Sequence, residues 1–180
     1  MDLKDKIALV NGGSGDLGSA ICMRLARAGA KIAFTYRADK REAEEVVEAI
    51  EAISGAAFAE SLDLLDYEMV SEFTKRVVAK WGRLDILVNV VGAKDPATLF
   101  EMTREQFDHV LDVNLKGYFN FIRSAVPVFQ EQRSGKVVNV VALGGLSGQV
   151  TANESAANMG VIGLTRTTAK ELGPFDVNVN

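Results

Sequence analysis

The chain is poor in several residues from which specialised sites are built: one cysteine, one histidine, one tryptophan and three prolines in 180 residues. Cys22 alone makes no internal disulfide, which excludes a disulfide-held scaffold. Its neighbours Ile21, Met23 and Leu25 assign it to the buried face of a helix. His109 has no second histidine to act with, and no metal-ligand spacing appears anywhere. An excess of positive charge is missing too: 20 Lys and Arg stand against 24 Asp and Glu, a formal net charge of −4. No basic stripe offers itself to the phosphates of DNA or RNA, so nucleic acid is excluded as a partner. No apolar run approaches the roughly 18 to 20 residues that span a bilayer. Met1 to Lys6 lead into a strand without the apolar core of a signal peptide. The expectation is a cytoplasmic protein with no membrane contact.

A composition of 48% hydrophobic and 24% charged residues is that of a globular protein, and 180 residues suffice for one domain with its own core. Lys6 to Val10 is a short apolar run closed by the turn Asn11-Gly12-Gly13-Ser14-Gly15, which reads as a buried strand entering a helix. Leu17, Ala20, Ile21, Arg24, Leu25 and Ala28 recur at helical spacing up to Gly29. The pattern repeats: strand 31–35, helix 41–53 with Val46, Val47, Ile50 and Ile53 inward, a weaker strand 57–61, helix 67–81 and strand 84–89. Parallel strands need crossover connections, so this alternation predicts a doubly wound α/β fold with helices on both faces of a parallel sheet.

Two further helices differ from the rest. One runs from Thr103 to about Gln130 behind a capping-box pair, Thr103 and Gln106. Leu111, Leu115, Tyr118, Ile122, Ala125 and Phe129 form its stripe, and Phe119, Phe121, Val126 and Val128 spread apolar surface beyond it. Such breadth predicts a second buried surface, supplied by another subunit. The other helix, Ala152 to Leu172, carries the small residues Ala156, Ala157, Gly160, Gly163 and Ala169. Between them lies strand 136–141, and Asp176 to Asn180 reads as a sixth strand that stops as it begins.

Gly12, Gly15 and Gly18 at the first strand-to-helix turn suit a dinucleotide site, where glycine lets the backbone approach a pyrophosphate at a helix N-terminus. With that turn, the stretches Leu62-Asp63-Leu64, Asn89-Val90-Val91-Gly92, Asp112-Val113-Asn114-Leu115-Lys116-Gly117 and Gly160-Val161-Ile162-Gly163-Leu164-Thr165 appear in order. Residues 6 to 180 thereby resemble the short-chain dehydrogenase/reductase family, in particular its 3-oxoacyl thioester reductase-like members. The resemblance implies a single Rossmann-like domain over residues 1–180, truncated after the start of the sixth strand. It also implies that the family's substrate lid and seventh strand are lacking.

Carried over residue by residue, the resemblance gives a depleted site. Of the family's working residues, only the Asn that anchors a water relay is kept, as Asn114. The orienting Ser falls on Ala142, the proton-exchanging Tyr on Glu154 and the activating Lys on Asn158. Gly12 and Gly18 match the family's phosphate turn, but Asn11 replaces a Thr and Asp16 replaces the middle Gly. A carboxylate about 4 to 5 Å from a phosphate repels it by roughly 3 to 4 kcal/mol at an effective dielectric near 20. Asp63 and Asn89 match the family's nucleoside-side residues, Val90 and Val91 depart from them, and Arg37 takes the place of an acidic ribose partner, which leans towards NADP.

These positions imply a pseudoenzyme subunit. It binds cofactor poorly or not at all and supports an active short-chain dehydrogenase/reductase paralogue, which carries the NAD(P), through the helices near 103–130 and 152–172. An acyl-thioester dehydrogenase, including one acting on hydroxyacyl-CoA compounds, is the implied host. Two alternatives remain open: an independent oxidoreductase with Glu154 as acid/base, and a metabolite sensor using the vestigial pocket.

Overall fold

The computed structural model describes residues 2–180. Six strands, β1 (Ile7–Asn11), β2 (Lys31–Tyr36), β3 (Ala57–Ser61), β4 (Ile86–Asn89), β5 (Gly135–Asn139) and β6 (Val177–Val179), form one sheet in the order β3-β2-β1-β4-β5-β6. Every neighbouring pair is parallel. The crossovers are α1 (Asp16–Arg27), α2 (Lys40–Glu51), α3 (Tyr67–Trp81), the run from α4 (Arg104–Leu111) to α5 (Gly117–Gln132), a short α6 (Gly144–Ser147) and α7 (Ala152–Leu172). The chain leaves β1 for β2 on one side and returns to β4 on the other. The ends of β1 and β4 therefore border a topological switch point, where open parallel sheets hold ligands.

Two apolar clusters cover the two faces of the sheet. On one, Phe73, Val77, Leu87, Phe121, Ile122 and Phe129 pack together; on the other, Cys22, Ala26, Ile32, Phe34 and Ile50 do so. Asp85 ties β1 to β4 at their amino ends. One carboxylate oxygen accepts the Ile7 N–H at 3.0 Å, and Arg83 Nε reaches both oxygens at 3.0 and 2.9 Å.

The buried face of α1 is Gly18, Cys22 and Ala26, not the face begun by Leu17, which is 54% exposed. Small residues win there because the helix lies close to the turn before it: a Cβ on Gly18 would stand 1.9 Å from the Gly12 carbonyl oxygen. Helix α2 ends at Glu51, so Ile53 lies beyond it and is exposed.

The single helix expected from Thr103 is interrupted. A π-helical turn at Asp112–Lys116 separates α4 from α5, although the Thr103–Gln106 capping box forms as read. Phe121 is buried in this chain's own core, and Val126 and Val128 pack against that core. The apolar excess on α5 thus narrows chiefly to Phe119. On α7, Gly160 serves contact within the chain, since a Cβ there would meet Leu115 Cδ2 at 2.7 Å, while Gly163 faces open space. No helix among the described residues is long and apolar enough to cross a membrane.

Candidate functional site

A polar ladder runs across the carboxyl ends of the strands. Thr35, Asn11, Asn89 and Asn139 are direct register partners on β2, β1, β4 and β5. The Gly12 N–H donates to Thr35 Oγ1 at 3.3 Å, and Thr35 Oγ1 donates to Asn11 Oδ1 at 3.2 Å. Asn11 Nδ2 then donates to Asn89 Oδ1 at 3.3 Å, and Asn89 Nδ2 to Asn139 Oδ1 at 2.9 Å. Asn139 Nδ2 continues to Thr165 Oγ1 at 2.8 Å, which donates to the Val161 carbonyl at 2.7 Å. One donor direction holds from the glycine turn to α7, which assigns each amide orientation. Asn89 is fully buried, where an unpaired amide would cost about 1–3 kcal/mol. Asn11, where the resemblance expects a Thr, is therefore a working member of the ladder rather than a defect in it.

Above this edge opens a cavity of about 770 Å³. The glycine turn, with Gly12, Gly15, Asp16 and Gly18, lines one part of it. Arg37, Ser61, Asp63, Leu64, Met69, Val90, Val91, His109 and Val113 are among the residues that line the rest. Gly12 has a φ of +88°, a backbone region that side chains rarely enter, and a Cβ there would press on Val91 at 3.1 Å. Asp63 Oδ1 accepts the Leu65 N–H at 2.9 Å, which fixes the carboxylate at the cavity wall. Asp16 is the first residue of α1 and is exposed. Water lowers the repulsion expected of it towards about 1 kcal/mol, the value for unit charges 4 Å apart in bulk solvent.

Asn114 lies on the π turn. Its amide pairs with both backbone groups of Ala93, accepting N–H at 2.7 Å and donating to C=O at 3.0 Å. Single π turns inside α-helices recur at functional sites, and this one presents the residue that the resemblance retains. Ala142 and Glu154 are joined through Asn158, and neither these three residues nor Asn114 lines the cavity. Asn158, 9% exposed, accepts the Ala142 N–H at 2.8 Å and donates to the Glu154 carbonyl at 2.7 Å. Glu154 is 8% exposed. Thr151 Oγ1 lies 3.2 Å from its Oε1 but 2.6 Å from Asn153 Oδ1, and the hydroxyl has one proton, so the nearer acceptor takes it.

Two residues of this region escaped the sequence reading. Asn153, fully buried, donates to the carbonyls of Asp95 and Gln106 at 3.0 and 3.1 Å and accepts from the Glu154 N–H, so it holds the start of α7 against α4. Tyr118 had a place in the α5 stripe only as an apolar residue. Its hydroxyl lies 2.9 Å from both the Val91 and Val140 carbonyls, joining the segments after β4 and β5, and burial pushes its pKa up. For Tyr118, a polar tip inside an apolar stripe was the available signal. His109 does reach the cavity wall. Among the described residues, no group of three or more His, Cys, Asp or Glu could hold a metal ion.

A family model described as short chain dehydrogenase matches residues 6–180. The chain is 39% identical over 177 residues to the 3-oxoacyl-(acyl-carrier-protein) reductase FabG of Staphylococcus epidermidis, covering 98% of this chain and 72% of that enzyme. The Thermotoga maritima reductase of the same name is 35% identical over 181 residues, covering 100% of this chain and 73% of the relative. Among solved structures, an NAD+-bound xylitol dehydrogenase superposes with a TM-score of 0.96 at 26% identity, covering 100% of this chain and 70% of that one. A double mutant of a Serratia marcescens short-chain dehydrogenase/reductase gives 0.94 at 30% identity, with 100% and 74% covered.

Proposed function

The chain belongs to the short chain dehydrogenase family, and from that premise we propose that it is a non-catalytic member, supporting an active relative within a heteromeric NAD(P)-dependent dehydrogenase. The observation that carries this reading is the bonding of Asn158 to Ala142 and Glu154. Those are the positions where the family resemblance expects an activating Lys, an orienting Ser and a proton-exchanging Tyr. Here Asn158 bonds two backbone groups, the Ala142 N–H and the Glu154 C=O, and so serves as structure. An amide carries no charge to tune a neighbouring acid, and Ala142 has no hydroxyl to donate to a substrate carbonyl.

The dinucleotide of the family fits this chain only in part. The nucleoside side of the cavity is built, with Asp63 fixed at its wall and Arg37, Leu64 and Val113 around it. The phosphate side is glycine-lined but carries Asp16 at the N-terminus of α1. When bound in an active partner, NAD(P) supplies the hydride chemistry. In this chain the residues hold the scaffold: the ladder fixes the strand ends, and Asn114 and Asn153 fix the helices beside them.

Helices α5 and α7 are the surfaces proposed for the partner. Phe119 on α5 is 46% exposed and Met159 on α7 is 48% exposed, and Gly163 leaves room for a close neighbour. The acyl-thioester class proposed for the host is taken by analogy from the relatives, which are named 3-oxoacyl-(acyl-carrier-protein) reductases.

Purification of the tagged chain from its native cell, followed by cofactor titration and turnover assay of the isolated chain and of the recovered complex, tests this. The expected result is a relative that retains Tyr and Lys, with all turnover belonging to the complex. Glu154→Gln in this chain leaves that turnover unchanged. Turnover by the isolated chain that is lost in Glu154→Gln would instead establish Glu154 as an acid/base.

A further inference from the structure

We infer that Asp16 reverses the charge preference of the cavity, so that it takes an uncharged purine nucleoside in preference to any ligand carrying a diphosphate bridge. This rests on the non-catalytic reading only in assuming that the cavity need not hold a complete dinucleotide. The cavity wall carries two carboxylates, Asp16 and Asp63, against one fixed cation, Arg37, and the single imidazole of His109. Among the described residues no ion pair engages Asp16 or Arg37. A diphosphate therefore enters a wall that is already negative.

The position of Asp16 matters as much as its charge. The free N–H groups and the dipole of a helix N-terminus favour an anion there. Asp16, in the first turn of α1, supplies that anion from the chain itself. Gly15 beside it leaves open space, with its nearest prospective neighbour, the Gly12 carbonyl oxygen, 3.9 Å from where a Cβ would be. The turn thus has room for a phosphate and lacks the charge for one. The opposite part of the cavity is different in kind. Leu64, Met69, Val90 and Val113 offer apolar surface to a flat base, and Asp63 and Ser61 add a carboxylate acceptor and a hydroxyl to the same wall.

Adenosine, ADP and NADH, titrated calorimetrically into the full chain, Asp16→Asn and Asp16→Gly, decide the matter. The wild-type chain is expected to bind adenosine at least as tightly as ADP or NADH. Asp16→Asn removes the charge and keeps the volume. It should strengthen ADP and NADH binding about fivefold and leave adenosine within about twofold, with the gain shrinking in 0.5 M salt as screening predicts. Asp16→Gly should show the same pattern, which separates charge from backbone freedom at that position. A wild-type preference for ADP or NADH, an equal shift of all three ligands in the variants, or no adenosine binding at millimolar concentration would overturn the inference. Turnover of NADH by the isolated chain bears on the non-catalytic reading alone; the affinity ratio decides this one.

Discussion

Asn158 Oδ1 accepts the Ala142 N–H at 2.8 Å, so the segment after β5 is fastened to α7 by a side chain standing where the family resemblance expects a lysine. Lysine has three donors and no acceptor. Asn158→Lys therefore cannot keep this bond, and its longer chain must pass Gly145, whose Cβ would already lie 2.6 Å from Asn158 Cβ. Asn158→Ala and Asn158→Lys should each lose about 1–2 kcal/mol in urea unfolding. Faster hydrogen exchange should be confined to residues 142–148, and neither variant should gain NADH oxidation. A gain of turnover in Asn158→Lys alone would show that the remainder of the site is still competent.

The asparagine ladder can be tested at its buried centre. Asn89→Asp keeps the acceptor for Asn11 but removes the donor to Asn139 Oδ1. Rotating the Asn139 amide would restore a donor towards residue 89, yet it would turn an oxygen towards Thr165, whose hydroxyl already serves Val161. One bond is lost wherever the defect settles, and a carboxylate is buried as well. The expected loss is about 2–4 kcal/mol, which at about 2–4 °C per kcal/mol for a chain of this length is a fall in Tm of roughly 5–15 °C. Calorimetry at neutral pH reads it directly.

Legibility in the sequence followed the range of the interaction concerned. The strands were legible because buried parallel strands are short, continuous apolar runs, and the Thr103–Gln106 cap because it is a contact between residues three apart. The π turn was not, since Asp112 to Lys116 keep a helical composition and the irregularity accompanies pairing of Asn114 with Ala93, 21 residues away. The buried face of α1 was misread for a similar reason. Leu17 looked like a core residue, but the close approach at Gly18 selects the small side chains instead. The ladder spans three strand pairings, so its asparagines, each beside apolar residues in sequence, showed no common purpose until the register aligned them. Of the candidate site, the identities at 142, 154 and 158 could be read from the chain, whereas their bonding to one another could not.

Asp85 makes stability depend on acid. Burial, the largest single influence, raises its pKa, but Arg83, the Ile7 N–H and Lys6 together hold it below the ordinary carboxylate value. A depressed folded pKa contributes stability that is complete above the unfolded value of about 3.9 and is lost as pH falls through the folded one. Urea midpoints should therefore be steady from neutral pH down to about 5 and then fall. Asp85→Asn should lower the plateau by about 1–3 kcal/mol, through loss of charged hydrogen bonds, and flatten the decline. An unchanged slope in the variant would place the acid sensitivity elsewhere.

Cys22 gives a probe of how α1 opens. It is fully buried on the sheet-facing side of that helix, 3.8 Å from the Gly13 carbonyl, and burial pushes its pKa up to about 12. At pH 8 the folded protein then holds on the order of one thiolate in ten thousand, against roughly a quarter for a free cysteine of pKa 8.5. Reaction with a disulfide reagent is thus slowed about a thousandfold by ionisation before access is considered. Labelling of the native chain should proceed only through opening, and its rate should rise with urea along the unfolding curve if the whole domain must open. A rate independent of urea at low concentrations would mean that α1 detaches alone. Gly18→Ala, which places a methyl against the Gly12 carbonyl, should then speed labelling at least tenfold. Equal labelling rates in the two proteins would show that the close approach at Gly18 does not hold the helix in place.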